Sequence, residues 1–196
     1  MNNYNIFESP LGIGGNVLRS GKLIVLPDSY RNLEHVNLLL ERGYSVDFLP
    51  IPSDDEKSFL SMRMGMNHHL DTEINFVRNG NGFVFLVNND YYERFKNEVD
   101  LLAAKHNGEV NLIKSAQEQT ALRGVNFLEL ADGRVAVPFN CWTARSTLES
   151  KLGKDRVIPI NIDFSKTTGI AQTFVEGVFT TLYFHGGLRC LTNILT

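Results

Sequence analysis

Cysteine is scarce in this sequence: 196 residues carry two, Cys141 and Cys190. Two thiols make no disulfide framework, so a hydrophobic core must hold the fold, and a reducing, cytoplasmic setting is expected. A secreted effector is the open alternative. No apolar run approaches the ~18 residues of a membrane-spanning helix. The stretch from Met1 to Ser9 is polar and lacks a leader-peptide pattern. A basic excess is also missing, with 19 Lys and Arg against 22 Asp and Glu. Phosphate binding calls for a basic face, so nucleic acid is not the expected partner and a cationic ligand fits better. Identity-level repeats, low-complexity segments and charge blocks are absent too.

What is present is an ordinary globular mixture, 43% hydrophobic and 21% charged, enough for one substantial core. Its order is more informative. Val17 to Pro27 reads as two strands around a Ser20-Gly21 turn. Ser29 to Arg42 has Leu33, Val36, Leu39 and Leu40 at helical spacing, with Gly43 as C-cap. Val46 to Ile51 is a strand. The same succession recurs. Ile74–Val77 and Gly82–Val87 flank the turn Asn79-Gly80-Asn81-Gly82. Asn88-Asn89-Asp90 caps a helix from Tyr91 to His106, Asn107-Gly108 ends it, and Val110–Ile113 follows. A third round has strands at Val125–Leu130 and Arg134–Pro138, a helix over Asn140–Leu152 ended by Gly153, and a strand at Val157–Ile162. The last segment predicts a helix near Thr167–Val175 and a strand leading toward Cys190. Repeated strand-strand-helix-strand units define an α/β protein. A radial arrangement, with strand ends converging on a centre, is expected.

The chemistry sits in three places. Gly12-Ile13-Gly14-Gly15-Asn16 is glycine-rich, but no Gly-Lys-Ser/Thr follows, so it is not a phosphate loop. It serves a tight turn or lines a substrate. His69 and Asp71 are two apart, and on a strand they would face one ligand together. His68-His69 does not make a metal site, because adjacent strand side chains point apart and the other histidines lack ligand spacing. The third place is Gly186-Gly187-Leu188-Arg189-Cys190. A lone cysteine is usually a small core residue. Here two glycines permit close backbone approach, and Arg189 beside it favours thiolate. A cysteine paired with a distant histidine is the general pattern of thiol catalysis. Cys141, at a predicted helix start, is read as structural.

Taken in order, His69-Leu70-Asp71-Thr72 followed by Gly186-Gly187-Leu188-Arg189-Cys190-Leu191-Thr192-Asn193 resembles the guanidine-modifying enzymes of the pentein fold. Cys190-Leu191-Thr192-Asn193 is most similar to peptidylarginine deiminases. Gly14-Gly15-Asn16-Val17-Leu18 is similar to an element of agmatine deiminases and bacterial peptidylarginine deiminases. Gly82–Val87 and the hairpin from Val125 to Pro138 resemble further segments of these enzymes.

The resemblance implies an α/β propeller of ββαβ units forming one catalytic domain over residues 1–196, shortened relative to the family's five units. Either an N-terminal unit is lacking or the chain is a compact, divergent member. It implies a hydrolase acting on C–N bonds of amidines. Cys190 would attack the guanidinium carbon, Asp71 would clamp its nitrogens, and His69 would serve as acid and then base. Asn16 and Arg189 would join Asp71 in binding substrate. The substrate would be a small guanidine compound or an arginine side chain of a protein. No cofactor, metal, nucleic acid or membrane is implied, and an oligomer is compatible. Two departures stand out. Ile13 occupies a position where many relatives have an acid, with Glu8 as a substitute for the second carboxylate, and the chain is short. Amidino transfer and a non-catalytic pentein-fold binding module are the alternatives.

Overall fold

Alternating apolar residues and turn glycines build the same small unit three times. The computed structural model describes residues 16–51, 70–113, 125, 127–138 and 141–160, and the backbone of 170–175 and 178–183. In the first unit, β1 (Leu18–Ser20) and β2 (Leu23–Pro27) form an antiparallel hairpin, α1 (Glu34–Glu41) follows, and β3 (Ser45–Leu49) returns parallel to β2. The single helical turn α2 (Leu70–Glu73) opens the second unit. Its strands are β4 (Ile74–Asn79), β5 (Gly82–Asn88) and β6 (Gly108–Ile113), with β4 antiparallel and β6 parallel to β5. Between β5 and β6 run α3 (Asn89–Arg94) and α4 (Lys96–Lys105). The third unit has β7 (Leu128–Glu129), β8 (Val135–Pro138), α5 (Trp142–Leu152) and β9 (Val157–Ile160), paired in the same way. An antiparallel hairpin, β10 (Ile170–Val175) with β11 (Val178–Tyr183), comes last.

The protein is therefore mixed α/β, and its described residues form three three-stranded sheets of identical topology besides the β10–β11 hairpin. Two expected helices come out differently. Of the helix expected over Thr167–Val175, the described residues Ile170–Val175 form a strand, in keeping with the β-branched and aromatic residues Ile170, Thr173, Phe174 and Val175. The helix over Tyr91–His106 is two helices meeting at Phe95, whose φ of −121° and ψ of 36° break the helical run.

Period-two alternation gives every sheet two apolar faces. Ile24 and Leu26 of β2 pack on Val36 of α1, while Leu23 and Val25 face the second unit. There they meet Val99, Leu102 and Ala103 of α4, together with Ile74, Phe76, Phe85 and Val87. The opposite face of that second sheet carries Val84, Leu86 and Ile113. These pack with Ala144 and Leu148 of α5 and with Val135, Val137 and Val157 of the third sheet. Each of α4 and α5 is thus enclosed between its own sheet and the preceding one. Fully burying a side chain such as Phe85 or Leu86 contributes roughly 1.5–3 kcal/mol, and the two clusters that span neighbouring units are built of such residues.

The first strands of the three units lie side by side and run the same way. Near their starts, Leu70 N donates to Asn16 Oδ1 (3.2 Å), and Asn75 Nδ2 donates to the carbonyl of Phe127 (2.8 Å). Near their ends, Ser20 Oγ accepts from Arg78 N (2.9 Å) and donates to Glu129 (2.5 Å). The other end of each unit is a hairpin turn closed by a guanidinium. Arg19 Nε donates to Gly21 O, Arg78 Nε to Gly80 O, and Arg156 Nε to Gly133 O. All three glycines have positive φ, between 57° and 81°, the left-handed region that a tight connection requires.

Candidate site where the first strands begin

At the end opposite the hairpin turns, the first strands start and the second and third strands of each unit, parallel to one another, finish. Ligands of α/β sheets gather outside such carboxyl ends, because loops there are free to vary while the strands fix their roots. Of the residues singled out from sequence, Asn16 and Asp71 fall at this end. His69, Arg189 and Cys190 lie outside the described residues.

Asp71 is fully buried, and Glu73 beside it is 6% exposed. Both sit on α2, which begins one residue after His69 in the sequence. The strand geometry expected for His69 and Asp71 does not extend to Asp71. Leu70 to Glu73 is a helical turn, and strand alternation begins at Ile74. Two features favour the turn. Asp71, Thr72 and Glu73 are residues that suit the first turn of a helix. Asn16 also receives the first backbone N–H of that turn, one that no residue of a helix can pair internally.

Asn16 comes from the Gly-Gly-Asn element, 54 residues upstream of Leu70. Its Nδ2 donates to the hydroxyl of Tyr30 at 3.4 Å. Two sequence motifs that look unrelated along the chain are therefore in contact, across the boundary of two units.

Tyr91 closes the other side of this region. It is 2% exposed, and its hydroxyl donates to the carbonyl of Pro50 at 2.7 Å. Burial pushes its pKa well above the usual tyrosine value, and the charges of Glu73, Glu98 and Asp28 push it the same way. The hydroxyl is thus a proton donor held across the boundary between the first and second units. In the sequence Tyr91 marks only the start of the expected helix. Nothing in the sequence marks Pro50 O as its acceptor, because the bond depends on how two units dock.

Cys141 follows β8 at the same end of the fold. It is 1% exposed and packs with Phe127, Val137, Ala144 and Leu148 in the core between the second and third sheets. Its surroundings are those of a small apolar side chain. Among the described residues, no three of His, Cys, Asp and Glu are placed to share a metal ion. No helix of the described residues is long and apolar enough to cross a membrane. Compared with models of known protein families and with curated proteins, the chain matches none.

Proposed function

We propose that this chain hydrolyses a guanidinium group to a ureido group and ammonium, as a shortened pentein-type enzyme whose units surround a central axis. The observation that carries the reading is the contact between Asn16 and Leu70. It joins the Gly-Gly-Asn element to the His69-Leu70-Asp71 element, the two motifs of the resemblance that lie in the first two units. The threefold recurrence of one ββαβ topology supports the same reading, as does a fully buried carboxylate at the end where the first strands begin.

The chemistry follows from residue types. A guanidinium is a planar cation, and a buried carboxylate recognises it through charge-assisted hydrogen bonds that water cannot screen. Asp71 takes that role. The thiolate of Cys190 attacks the guanidinium carbon, and His69 passes a proton to the departing nitrogen as the C–N bond breaks. His69, now neutral, takes a proton from water, which attacks the thiouronium carbon. The C–S bond breaks, and the ureido product leaves with the thiolate restored. One water is consumed and one ammonium released, with no redox change.

β11 is the second strand of its hairpin, as β2, β5 and β8 are of theirs, and Cys190 follows it by seven residues. In the other units the chain leaves the second strand at the end where Asp71 lies. A fourth unit oriented like the first three would deliver Cys190 to the same end. The test is release of ureido product and ammonium by the wild type and by Cys190→Ala. The panel would be free arginine, agmatine, dimethylarginine and an arginine-containing peptide. Turnover lost in the variant supports guanidine hydrolysis at Cys190, and the preferred compound names the substrate. A folded wild type that turns over none of them defeats the proposal.

A further inference from the structure

We infer that Asn16 and Tyr30 are positioning residues, forming a relay that holds the Asp71 turn in place from the neighbouring unit. The inference rests on the proposed function where it concerns turnover, but its geometry stands alone. Both ends of the Asn16 carboxamide are engaged inside the protein. Oδ1 accepts from Leu70 N at 3.2 Å, and Nδ2 donates to Tyr30 Oη at 3.4 Å. Leu70 is fully buried and covalently adjacent to Asp71, which is fully buried as well.

A four-residue helix has little stability of its own, since nucleation fixes several dihedrals for each hydrogen bond gained. The position of Asp71 therefore depends in part on what holds the ends of the turn. At the carboxyl end the holder is β4, whose Ile74 pairs with Val87 in the second sheet. At the amino end it is Asn16, a residue of the first unit. Tyr30 terminates the 3-10 turn Asp28–Tyr30 directly after β2. Its hydroxyl anchors the Nδ2 end of the carboxamide, while the Leu70 N–H, a donor only, selects the oxygen at the other end. Asn16 then acts on a bound guanidinium through the placement of Asp71, without needing to touch it.

The relay is tested by hydrogen–deuterium exchange on the full chain, read at Leu70 to Glu73. The proteins are the wild type, Asn16→Ala, Asn16→Asp and Tyr30→Phe. Asn16→Ala removes the acceptor and is expected to raise exchange there about tenfold, with α4 and β5 unmoved. Asn16→Asp keeps an acceptor and is expected to retain the protection. Tyr30→Phe removes the anchor on Nδ2 while leaving the acceptor for Leu70 N, and falls between the two. Unchanged protection in both Asn16→Ala and Tyr30→Phe overturns the inference, and so does a rise spread evenly over the chain. Should Asn16→Ala fail to fold, the comparison of Tyr30→Phe with Asn16→Asp decides. Turnover of the arginine-containing peptide is expected to fall in step with loss of protection. Absence of turnover in the wild type would defeat the functional reading and leave the exchange result to judge the relay.

Discussion

Ser20 and Glu129, 109 residues apart, share a hydrogen bond of 2.5 Å between the first and third units. The same hydroxyl accepts from Arg78 N of the second unit. One buried side chain thus ties together the first strands of all three units. Ser20→Ala would leave a backbone N–H and a carboxylate oxygen without this partner. A cost of about 1–3 kcal/mol is expected, because unmet buried groups lose more than a hydrogen bond is worth on exposure. Urea unfolding would show the midpoint falling. An unchanged midpoint would mean that the three strands are held by apolar packing alone.

Much of this architecture is legible in the sequence because the signals are local. Gly43 and Gly153 end α1 and α5 with φ of 76° and 92°, and Asn88 caps α3 by accepting from Asp90 N. The unbroken apolar run Phe83–Val87 gives a buried strand. The failures are equally physical. Ile170 to Val175 offers no single period, and β propensity together with pairing to β11 decides the outcome. The turn at Leu70–Glu73 depends on Asn16, and a contact over 54 residues leaves no mark in any short window. The same holds for Ser20 with Glu129. Of the candidate site, the residue types at Asn16 and Asp71 could be picked out, but not the relation between them.

Gly82 and Gly108 are expected to resist substitution for different reasons. A Cβ on Gly82 would lie 2.1 Å from the carbonyl oxygen of Asn107, a backbone atom just after α4. A Cβ on Gly108 would lie 2.2 Å from the ring of Phe85 in the core. Either alanine forces repacking that costs about 1–3 kcal/mol. The Gly108 variant has a remedy, because Phe85→Leu in the same chain makes room. Thermal unfolding of Gly108→Ala, Phe85→Leu and the double variant should show that the two effects are not additive. Additive shifts would mean that the ring moves aside freely.

Tyr91 links stability to alkaline pH. Its folded pKa lies above the ordinary tyrosine value of about 10. Below that value both folded and unfolded chains hold the proton, and the group adds no pH dependence. As pH rises past about 10 the unfolded chain releases the proton while the folded chain keeps it, so stability declines. Tyr91→Phe should flatten that decline, at the expense of the bond to Pro50 O. Denaturant midpoints from pH 8 to 11 for the two proteins would test it. Parallel curves would show that Tyr91 ionises as readily in the fold as out of it.

Asp71 offers the sharpest separation of binding from chemistry. Asp71→Asn preserves shape at a fully buried position while removing the charge that a guanidinium needs. On the proposed reaction, kcat/KM toward the preferred guanidine compound should fall by about 10²–10³-fold, the usual loss when one preorganised electrostatic partner of the reacting group is removed. The thiol of Cys190 should still react with a neutral alkylating reagent at its wild-type rate, because that step needs no cation clamp. Loss of selectivity for a cationic amidine reagent over the neutral one would place Asp71 at the guanidinium. Equal loss toward both reagents would instead make Asp71 a support for the fold around the thiol, and undisturbed turnover would remove it from the site altogether.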